Sequence, residues 1–313
     1  MKSIFNKDKD YLQNLSGKKF LITGGEGMLG DSFFNQIKTH IQNPKIYCFN
    51  KSEFNVSDSY SFEKYENLKP DFIIHCAALV NADLCEKDKE KGRINILEGT
   101  KNIINFAKIN NSKIFYPQSF LIYNDTRKLV DENTIPRPLC EYGNFKLEAE
   151  NIVLNSSNNS ISVRMGGFFG GEKKDNNFIG KITSHISKLI KQGKKEMNIG
   201  DRVWQPTFTK DLAYNSLILL ANNKSGKYNM ASHGSCSFYE LTNELLKILN
   251  IEKKFSVNRI SAKILSKKEF ARRPLSVVMN NSRLKRENLD RQRNWKISLK
   301  DYLEKPYFNN LFT

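Results

Sequence analysis

The chain has 313 residues and a formal net charge of +17, and 39% of its residues are hydrophobic, which is enough to fill a sizeable core. No apolar run reaches the roughly 18 residues of a membrane span, and the basic N-terminus lacks the apolar stretch of a signal peptide, so we expect a cytoplasmic protein with no membrane partner. The lysines are spread through every segment, and the charge therefore does not indicate nucleic-acid binding.

The metal-binding residue types are dispersed along the chain. The 5 cysteines lack the paired spacing of a zinc site, and the 4 histidines lie far apart in the sequence. We therefore expect reduced thiols, mostly buried, and no metal site.

The predicted elements begin at Lys18, where short apolar runs start to alternate with longer amphipathic stretches, as in βαβ units of a parallel sheet. Strands are predicted at 19–23, 45–49, 71–79, 112–119 and 159–165, and helices at 28–41 and 93–109. The alternation loosens after residue 166, and a helix at 209–221 and a strand at 227–232 then return to the sheet. The predicted fold is α/β, a Rossmann-type doubly wound parallel sheet with a smaller, mostly helical C-terminal substrate region.

The same pattern divides the chain into three parts. We predict an N-terminal extension at 1–17, an NAD(P)-binding domain at 18–167 and 208–232, and a substrate-binding region at 168–207 and 233–313. The extension is polar, with Tyr11, Leu12 and Leu15 as apolar anchors, and its sequence does not indicate a purpose.

A glycine-rich turn follows the first predicted strand. Gly25, Gly27 and Gly30 match G-x-G-x-x-G, and Gly24 extends the match to G-x-x-G-x-x-G. Such a turn lets the backbone approach a pyrophosphate at the N-terminus of the following helix, where free N–H groups favour an anion. The predicted cofactor contacts in this turn are Gly24, Gly27, Met28, Leu29 and Gly30.

The residues after the second predicted strand bear on which dinucleotide binds. A carboxylate there would bind the ribose hydroxyls of NAD, whereas this chain has Asn50 followed by Lys51. An amide beside a cation tolerates a 2′-phosphate, so NADP(H) is favoured. NAD(H) remains the alternative, because Lys51 can equally be a solvated surface lysine.

Five segments carry a family resemblance: TGGEGMLG at 23–30, HCAAL at 75–79, INILEGTKNI at 94–103, QSFLIYN around Ser119, and YGNFK at 142–146. In order and spacing they resemble the extended short-chain dehydrogenase/reductase superfamily. Within it, the chain is most similar to the dTDP-4-dehydrorhamnose reductase group of nucleotide-sugar reductases. The segments AALVNADLCEKDKEKGRIN, QPTFTKDLA and ARRPLSVVMNNSRLK are similar to motifs of that group.

The resemblance implies roles for three catalytic residues. Tyr142 is expected to protonate the forming alkoxide, and Lys146 to lower the tyrosine pKa and hold the nicotinamide ribose. Ser119 is expected to hydrogen-bond the substrate carbonyl and Tyr142. The resemblance also places Ala77, Ala78, Leu79 and Asn95 beside the cofactor, and Phe120, Gly167, Arg272 and Arg273 beside the substrate.

Spacing alone does not select Tyr142 and Lys146. The same Tyr-x-x-x-Lys interval occurs at Tyr47/Lys51, Tyr60/Lys64 and Tyr65/Lys69. Tyr47 falls inside a predicted strand, and the other two pairs fall between the second and third strands. Only Tyr142 follows the strand of Ser119 and begins a helix.

Two departures from the reductase group concern the sugar pocket. Phe120 and Leu121 stand where that group has a polar pair, and where nucleotide-sugar 4,6-dehydratases have an Asp-Glu pair, so a dehydratase is disfavoured. Gly167 stands where the group often has a tryptophan. The identity of the sugar is therefore left open.

The leading hypothesis is an NAD(P)H-dependent reductase of a nucleotide-linked 4-keto-6-deoxysugar, in deoxysugar or polysaccharide precursor biosynthesis. One alternative is a nucleotide-sugar epimerase with tightly bound NAD. The other is a non-catalytic, cofactor-binding regulatory subunit, a role known among relatives of this group. The resemblance also implies a homodimer.

Overall fold

A computed structural model describes residues 2–126, 128–156 and 159–312 of the chain. The strands in these ranges are β1 (Lys19–Thr23), β2 (Lys45–Phe49), β3 (Phe72–His75), β4 (Lys113–Ser119), β5 (Ile161–Met165), β6 (Phe168–Phe169), β7 (Glu196–Gly200), β8 (Val203–Trp204), β9 (Thr207–Phe208), β10 (Gly226–Met230), β11 (Cys236–Ser237) and β12 (Ser256–Ile260).

The helices in the same ranges are α1 (Lys2–Gln13), α2 (Met28–His40), α3 (Ala82–Lys87), α4 (Lys89–Arg93), α5 (Gly99–Asn110), α6 (Glu141–Ser156), α7 (Phe178–Lys191), α8 (Thr209–Ala221), α9 (Phe238–Ile248), α10 (Ala262–Ser266), α11 (Ser282–Arg286), α12 (Trp295–Leu303) and α13 (Pro306–Phe312). Short 3₁₀ segments occur at Ser59–Leu68, Phe120–Ile122 and Glu172–Lys174.

Six parallel strands form the central sheet, in the order β10-β5-β4-β3-β1-β2. The α/β prediction is confirmed, since the sheet is parallel and helices cover both of its faces. All strand C-termini meet at one edge of the sheet, which is where ligands bind in such folds. The glycine turn after β1 and Ser119 at the end of β4 therefore lie along the same edge.

The third strand is shorter than predicted. The apolar pattern extends over 71–79, but β3 ends at His75, opposite Thr23 at the end of β1. Beyond that point β1 turns into the glycine-rich loop, and pairing of β3 with its other neighbour, β4, has already ended at Ile74. Residues 76–79 instead form a loop, and Ala77 lies against the backbone of Gly24.

The predicted helix at 93–109 is part of a longer helical stretch with an irregular turn. Helix α4 passes into a π-helical turn at Ile94–Glu98, which continues directly into α5. Such turns are frequent at functional sites. Asn95, one of the predicted cofactor residues, lies in this turn.

Two hydrophobic cores cover the two faces of the sheet. One lies between the sheet and helices α2 and α8, with Phe33 and Leu217 fully buried. The other lies between the sheet and helices α5 and α6, with Ile103 and Val153 fully buried. Tyr142 belongs to this second core, so the candidate catalytic helix α6 is held against the sheet by apolar packing.

The N-terminal extension is part of the folded unit. Leu12, at the end of helix α1, and Leu15 just after it are buried in the same core as α2 and α8. The Asp8 carboxylate is buried and accepts hydrogen bonds from Arg291 and from the Tyr214 hydroxyl. All three predicted anchors pack onto the sheet domain, since Tyr11 is partly buried against the same core.

The C-terminal region has its own core. Helices α7, α9, α12 and α13 surround a cluster that includes Phe169, Trp204 and Tyr302. Its strands pair only in twos, β6 with β9, β7 with β12 and β8 with β11. A smaller, mostly helical region was predicted here. None of the helices described is long and apolar enough to cross a membrane.

Candidate active site

The glycine turn is packed tightly against the loop that follows β3. Gly24 has φ +67°, and a β-carbon there would lie 2.9 Å from the Ala77 backbone. A β-carbon on Gly30 would collide with the Gly24 carbonyl oxygen. These glycines let the turn pack closely at the N-terminus of α2, where free backbone N–H groups fit a bound pyrophosphate.

Four polar side chains lie where the adenosine end of the cofactor is predicted to bind. The Asn50 amide donates to the Glu26 carboxylate over 3.1 Å, and the Lys51 ammonium donates to the Asn95 side-chain oxygen over 3.3 Å. The second hydrogen bond joins two predicted cofactor residues, Lys51 and Asn95, which lie 44 residues apart in the sequence. Glu26 was not predicted, and its carboxylate introduces a negative charge beside Asn50.

A buried hydrogen-bond chain links β1, β3 and the π-helical turn. Thr23 Oγ1 lies 2.9 Å from His75 Nδ1, and His75 Nε2 lies 3.3 Å from Thr100 Oγ1, which donates to the Ile96 carbonyl over 2.6 Å. The Ala77 N–H donates to Thr23 Oγ1, which fixes the loop over the glycine turn. Burial lowers the pKa of His75 to about 3, so the ring is neutral and donates through Nε2.

Ser119 and Tyr142 meet at the carboxyl edge of the sheet. Ser119 ends β4, Tyr142 is the second residue of α6, and the Ser119 side chain lies close enough to Tyr142 to influence its titration. Burial raises the pKa of the Tyr142 hydroxyl well above its ordinary value, and the neighbouring Ser119 hydroxyl offsets only part of that rise. Tyr142 therefore carries its proton at neutral pH and can act as an acid.

Lys146 lies one helical turn beyond Tyr142 and is buried. Its ammonium donates to the Pro117 carbonyl over 2.7 Å and lies 3.9 Å from the centre of the Tyr116 ring. Burial lowers the pKa of Lys146 to about 7, while the nearby Glu150 carboxylate acts in the opposite direction. Burial dominates the Tyr142 pKa and raises it, and the lowering of that pKa by Lys146 stays a prediction.

Helix α3 fixes the start of the catalytic helix. The Glu86 carboxylate accepts a hydrogen bond from the Glu141 backbone N–H over 2.9 Å, at a helix end where free N–H groups need an acceptor. Gly143 lets α6 approach the segment after Ser119, since a β-carbon there would meet the Leu121 carbonyl and lie 2.9 Å from Pro138. These contacts set the position of Tyr142 relative to Ser119.

A buried ion pair holds the middle of α6 to β5. The Arg164 guanidinium donates to both oxygens of the Glu150 carboxylate, with a shortest distance of 2.7 Å, and Ser162 donates to the same carboxylate. Arg164 also donates to the Tyr123 hydroxyl over 2.8 Å. The pair is fully enclosed, so Glu150 cannot move without leaving a charge unpaired.

The predicted substrate residues are distributed around the same edge. Phe120 is half-buried and packs on the cluster of Ile122, Val277 and Met279. Gly167 lies directly against the Trp204 ring, which fills the space that a side chain at 167 would occupy.

The two arginines differ in their surroundings. Arg273 donates to the Asp83 carboxylate over 3.0 Å, and the Ala271 N–H, two residues earlier, donates to the other oxygen of Asp83. Arg272 is exposed, and both arginines line a cavity of about 90 Å³. Arg273 is therefore bound to helix α3 in this structure, and Arg272 is the more accessible cation.

The competing Tyr-x-x-x-Lys intervals lie elsewhere. Tyr47 is within β2, and Tyr60 and Tyr65 are in the 3₁₀ segment Ser59–Leu68. The Tyr60 side chain is 75% exposed, which excludes a buried proton donor there. Only the interval beginning at Tyr142 lies beside Ser119.

Several site residues were not predicted from the sequence: Glu26, His75, Glu86, Gln118 and Trp204. His75 and Glu86 lay within recognised segments, but nothing local distinguishes a structural carboxylate or imidazole from a solvated one. Gln118 and Trp204 act through contacts with residues distant in sequence. Among the described residues, no group of three or more histidine, cysteine or carboxylate side chains could hold a metal ion, and all five cysteines are free.

A Rossmann-type sheet, a glycine turn at a helix N-terminus, and a serine beside a buried tyrosine and lysine define an extended short-chain dehydrogenase/reductase. Residues 18–308 match the family described as RmlD substrate binding domain, and the chain belongs to that family. The predicted resemblance to the dTDP-4-dehydrorhamnose reductase group is thereby confirmed.

Three known proteins illustrate the relationship. The chain is 24% identical to the spore coat polysaccharide biosynthesis protein SpsK of Bacillus subtilis, over 91% of this chain and 97% of that protein. It is 24% identical to methionine adenosyltransferase 2 subunit beta of Xenopus tropicalis, over 76% of this chain and 74% of that protein. The solved structure of a dTDP-4-dehydrorhamnose reductase from Clostridium acetobutylicum is 27% identical, covering 91% of this chain and 98% of its own, with a TM-score of 0.83.

Proposed function

We propose that this chain is an NAD(P)H-dependent reductase of a nucleotide-linked 4-keto-6-deoxysugar, acting in the biosynthesis of a polysaccharide precursor. The observation that carries the proposal is the placement of Ser119 beside a buried, protonated Tyr142 at the carboxyl edge of the sheet. The likeness to the Clostridium acetobutylicum reductase over nearly the whole chain supports the substrate class.

In this reaction the bound nicotinamide supplies a hydride to the carbonyl carbon. Tyr142 donates its proton to the carbonyl oxygen as negative charge develops there, and Ser119 hydrogen-bonds the same oxygen. Lys146, fixed by the Pro117 carbonyl, supplies hydrogen-bond donors beside the ribose of the cofactor and charge near Tyr142. The loop of Ala77, Ala78 and Leu79 covers the glycine turn on the cofactor side.

The preferred cofactor in this proposal is NADP(H), because Lys51 places a cation beside the predicted 2′-phosphate position. NAD(H) is the second candidate, since the Glu26 carboxylate contacts Asn50 at the same end and would repel a phosphate. Residues 18–167 and 208–232 would hold the cofactor, and residues 168–207 and 233–313 the sugar. Arg272 and Arg273 are proposed to contact the substrate diphosphate, and the protein is proposed to be a cytoplasmic homodimer.

The test is a panel of nucleotide 4-keto-6-deoxysugars assayed for oxidation of NADPH and NADH by loss of nicotinamide absorbance. Tyr142→Phe is the matched variant, since it keeps the ring and removes only the acid. It should lose about 10²–10⁴-fold in kcat while binding NADPH with unchanged affinity, measured by nicotinamide fluorescence. If the wild-type protein oxidises neither cofactor with any member of the panel, the reductase proposal fails.

The epimerase alternative makes a different prediction for the same panel. An epimerase would be purified with stoichiometric bound NAD and would convert a nucleotide sugar without net NADPH consumption. The cofactor content of the freshly purified protein, measured after denaturation, separates it from a reductase.

One observation favours the regulatory alternative, namely the similarity to methionine adenosyltransferase 2 subunit beta over about three-quarters of each chain. A binding subunit does not need Ser119, Tyr142 and Lys146 together, and their joint placement at the sheet edge supports catalysis. Should Tyr142→Phe keep the full biological activity of the protein in cells, a non-catalytic role would be supported instead.

A further inference from the structure

The side chain of Gln118 connects two of the proposed catalytic residues. Its amide nitrogen donates to the Lys146 backbone carbonyl over 2.7 Å, and its amide oxygen accepts from the Ser119 backbone N–H over 2.8 Å. One amide group thus spans from the end of β4 to the first half of α6. Gln118 is buried, so water cannot readily replace either hydrogen bond.

Gln118 makes these two hydrogen bonds beyond the point where pairing between β3 and β4 ends. Pairing between β3 and β4 stops at Ile74 and Phe115, whereas pairing between β4 and β5 continues to Ser119 and Met165. The last residues of β4 therefore project beyond β3. The Gln118 amide oxygen gives the Ser119 N–H an acceptor at this projecting end.

Three consecutive residues of β4 together hold the lysine and the serine. Pro117 accepts from the Lys146 ammonium, Gln118 donates to the Lys146 carbonyl, and Ser119 is fixed by Gln118. The lysine is thus attached to one short piece of strand at both its backbone and its charged end. Of these contacts, only those of the Gln118 side chain can be removed by substitution without changing a catalytic residue.

We propose that Gln118 is a positioning residue, whose amide sets the distance and orientation of Ser119 and Lys146 relative to each other. This inference rests on the proposed reductase function. Catalytic groups displaced by about 1 Å can lose on the order of 10²-fold in rate, so loss of a rigid bridge between two of them affects turnover more than binding.

The test compares Gln118→Met with the wild-type enzyme. Methionine has a similar length and volume but can make neither hydrogen bond. We expect kcat to fall at least about 10-fold while the KM values for NADPH and sugar change less than about 3-fold.

A second readout works without turnover. Competitive acetylation of Lys146 as a function of pH, followed by peptide mass spectrometry, reports the titration of this amine directly. In the wild type its midpoint should lie near the depressed pKa of about 7 that burial produces. In Gln118→Met the backbone of Lys146 loses its attachment to β4, and we expect the amine to become more exposed to solvent. The acetylation midpoint should then rise by about one pH unit or more.

Gln292→Met is the matched control for lost stability. Gln292 is also buried, and its amide donates to the Asp211 carbonyl over 3.1 Å, away from the proposed catalytic residues. This variant should lower Tm while leaving kcat and the Lys146 midpoint unchanged. If Gln118→Met does not fold, Gln118→Asn replaces it, since its shorter side chain cannot span both partners.

A fall in kcat together with a shifted Lys146 midpoint supports the positioning role. If Gln118→Met behaves like the control, with a lower Tm but unchanged kcat and midpoint, the role is overturned. If the wild type reduces no sugar, the proposed function fails, and the acetylation midpoint alone then decides whether Gln118 holds Lys146.

Discussion

The ring of Trp204 lies directly against the α-carbon of Gly167, and a β-carbon at position 167 would overlap it. The indole is 5% exposed, and Phe178 and Phe238 contact it edge-on. The family resemblance implies a tryptophan at position 167, where this chain has glycine, and the Trp204 side chain from β8 fills the space beside that glycine.

We predict that positions 167 and 204 are energetically coupled. Gly167→Trp alone should overpack the site and destabilise the protein by at least about 1–3 kcal/mol, and Trp204→Gly alone should leave a cavity that costs about 3–5 kcal/mol. The double variant should recover much of the loss, because one indole again fills one space. Urea unfolding of all four proteins measures the coupling, and strictly additive losses would contradict it.

Substitutions of the residues at the predicted adenosine end of the cofactor site should change the preference between NADPH and NADH. Lys51→Ala should lower kcat/KM for NADPH about 10-fold and leave NADH nearly unchanged, since only the 2′-phosphate needs the cation. Glu26→Gln should shift the ratio toward NADPH, because it removes the repelling charge. Steady-state kinetics with both cofactors tests this pair, and equal effects of Lys51→Ala on NADPH and NADH would disprove the assignment.

His75 predicts a pH dependence of stability. Its pKa is lowered by burial to about 3 in the folded protein, against 6.5 ordinarily, so between these values the unfolded chain binds a proton that the folded protein does not. Stability therefore falls as pH drops from about 6.5 toward 3, by up to about 1.4 kcal/mol per pH unit from this group. His75→Gln should show a shallower loss between pH 6 and 4 in chemical unfolding, compared with the wild type.

Thr183→Val provides the control for that measurement, because Thr183 is buried, has no titrating side chain and donates to the Ile179 carbonyl of its own helix. This variant should lower stability while leaving its slope against pH close to that of the wild type. A His75→Gln slope equal to the wild-type slope would show that the buried ring does not resist protonation.

The docking of α1 predicts a cost for breaking its buried ion pair. Asp8→Ala leaves the Arg291 guanidinium without its main partner and should destabilise the protein by about 3 kcal/mol. Lys210→Ala is the control, since it breaks an exposed pair with Asp301 and should cost less than about 0.5 kcal/mol. Thermal unfolding followed by circular dichroism measures the stability of both variants. If Asp8→Ala destabilises the protein no more than Lys210→Ala does, the ion pair of α1 contributes little to stability.

The parts of this fold that depend on local patterns were predictable. The glycine turn, β1 and β2 follow from residue type and spacing alone, and the family resemblance identified Ser119, Tyr142 and Lys146. The end of β3 at His75 was not predictable, because the apolar run continues, and the strand ends where the neighbouring β1 turns into the glycine-rich loop.

Contacts between residues that are distant in the sequence could not be predicted for the same reason. Trp204 against Gly167, Glu86 at the start of α6, and Gln118 on Lys146 each join segments whose proximity exists only in the folded chain. The pKa of Tyr142 shows a further limit. The sequence placed a cation nearby, but how deeply the hydroxyl is buried decides the direction of its shift.

The pair formed by Asp8 and Arg291 joins residues 283 positions apart. During synthesis on the ribosome, Asp8 is added 283 residues before the cation that neutralises its buried carboxylate. At roughly 5–20 residues per second, Asp8 waits on the order of 15–60 seconds for its partner. Until Arg291 has been added, a nascent chain lacks the ion pair that holds helix α1 in place.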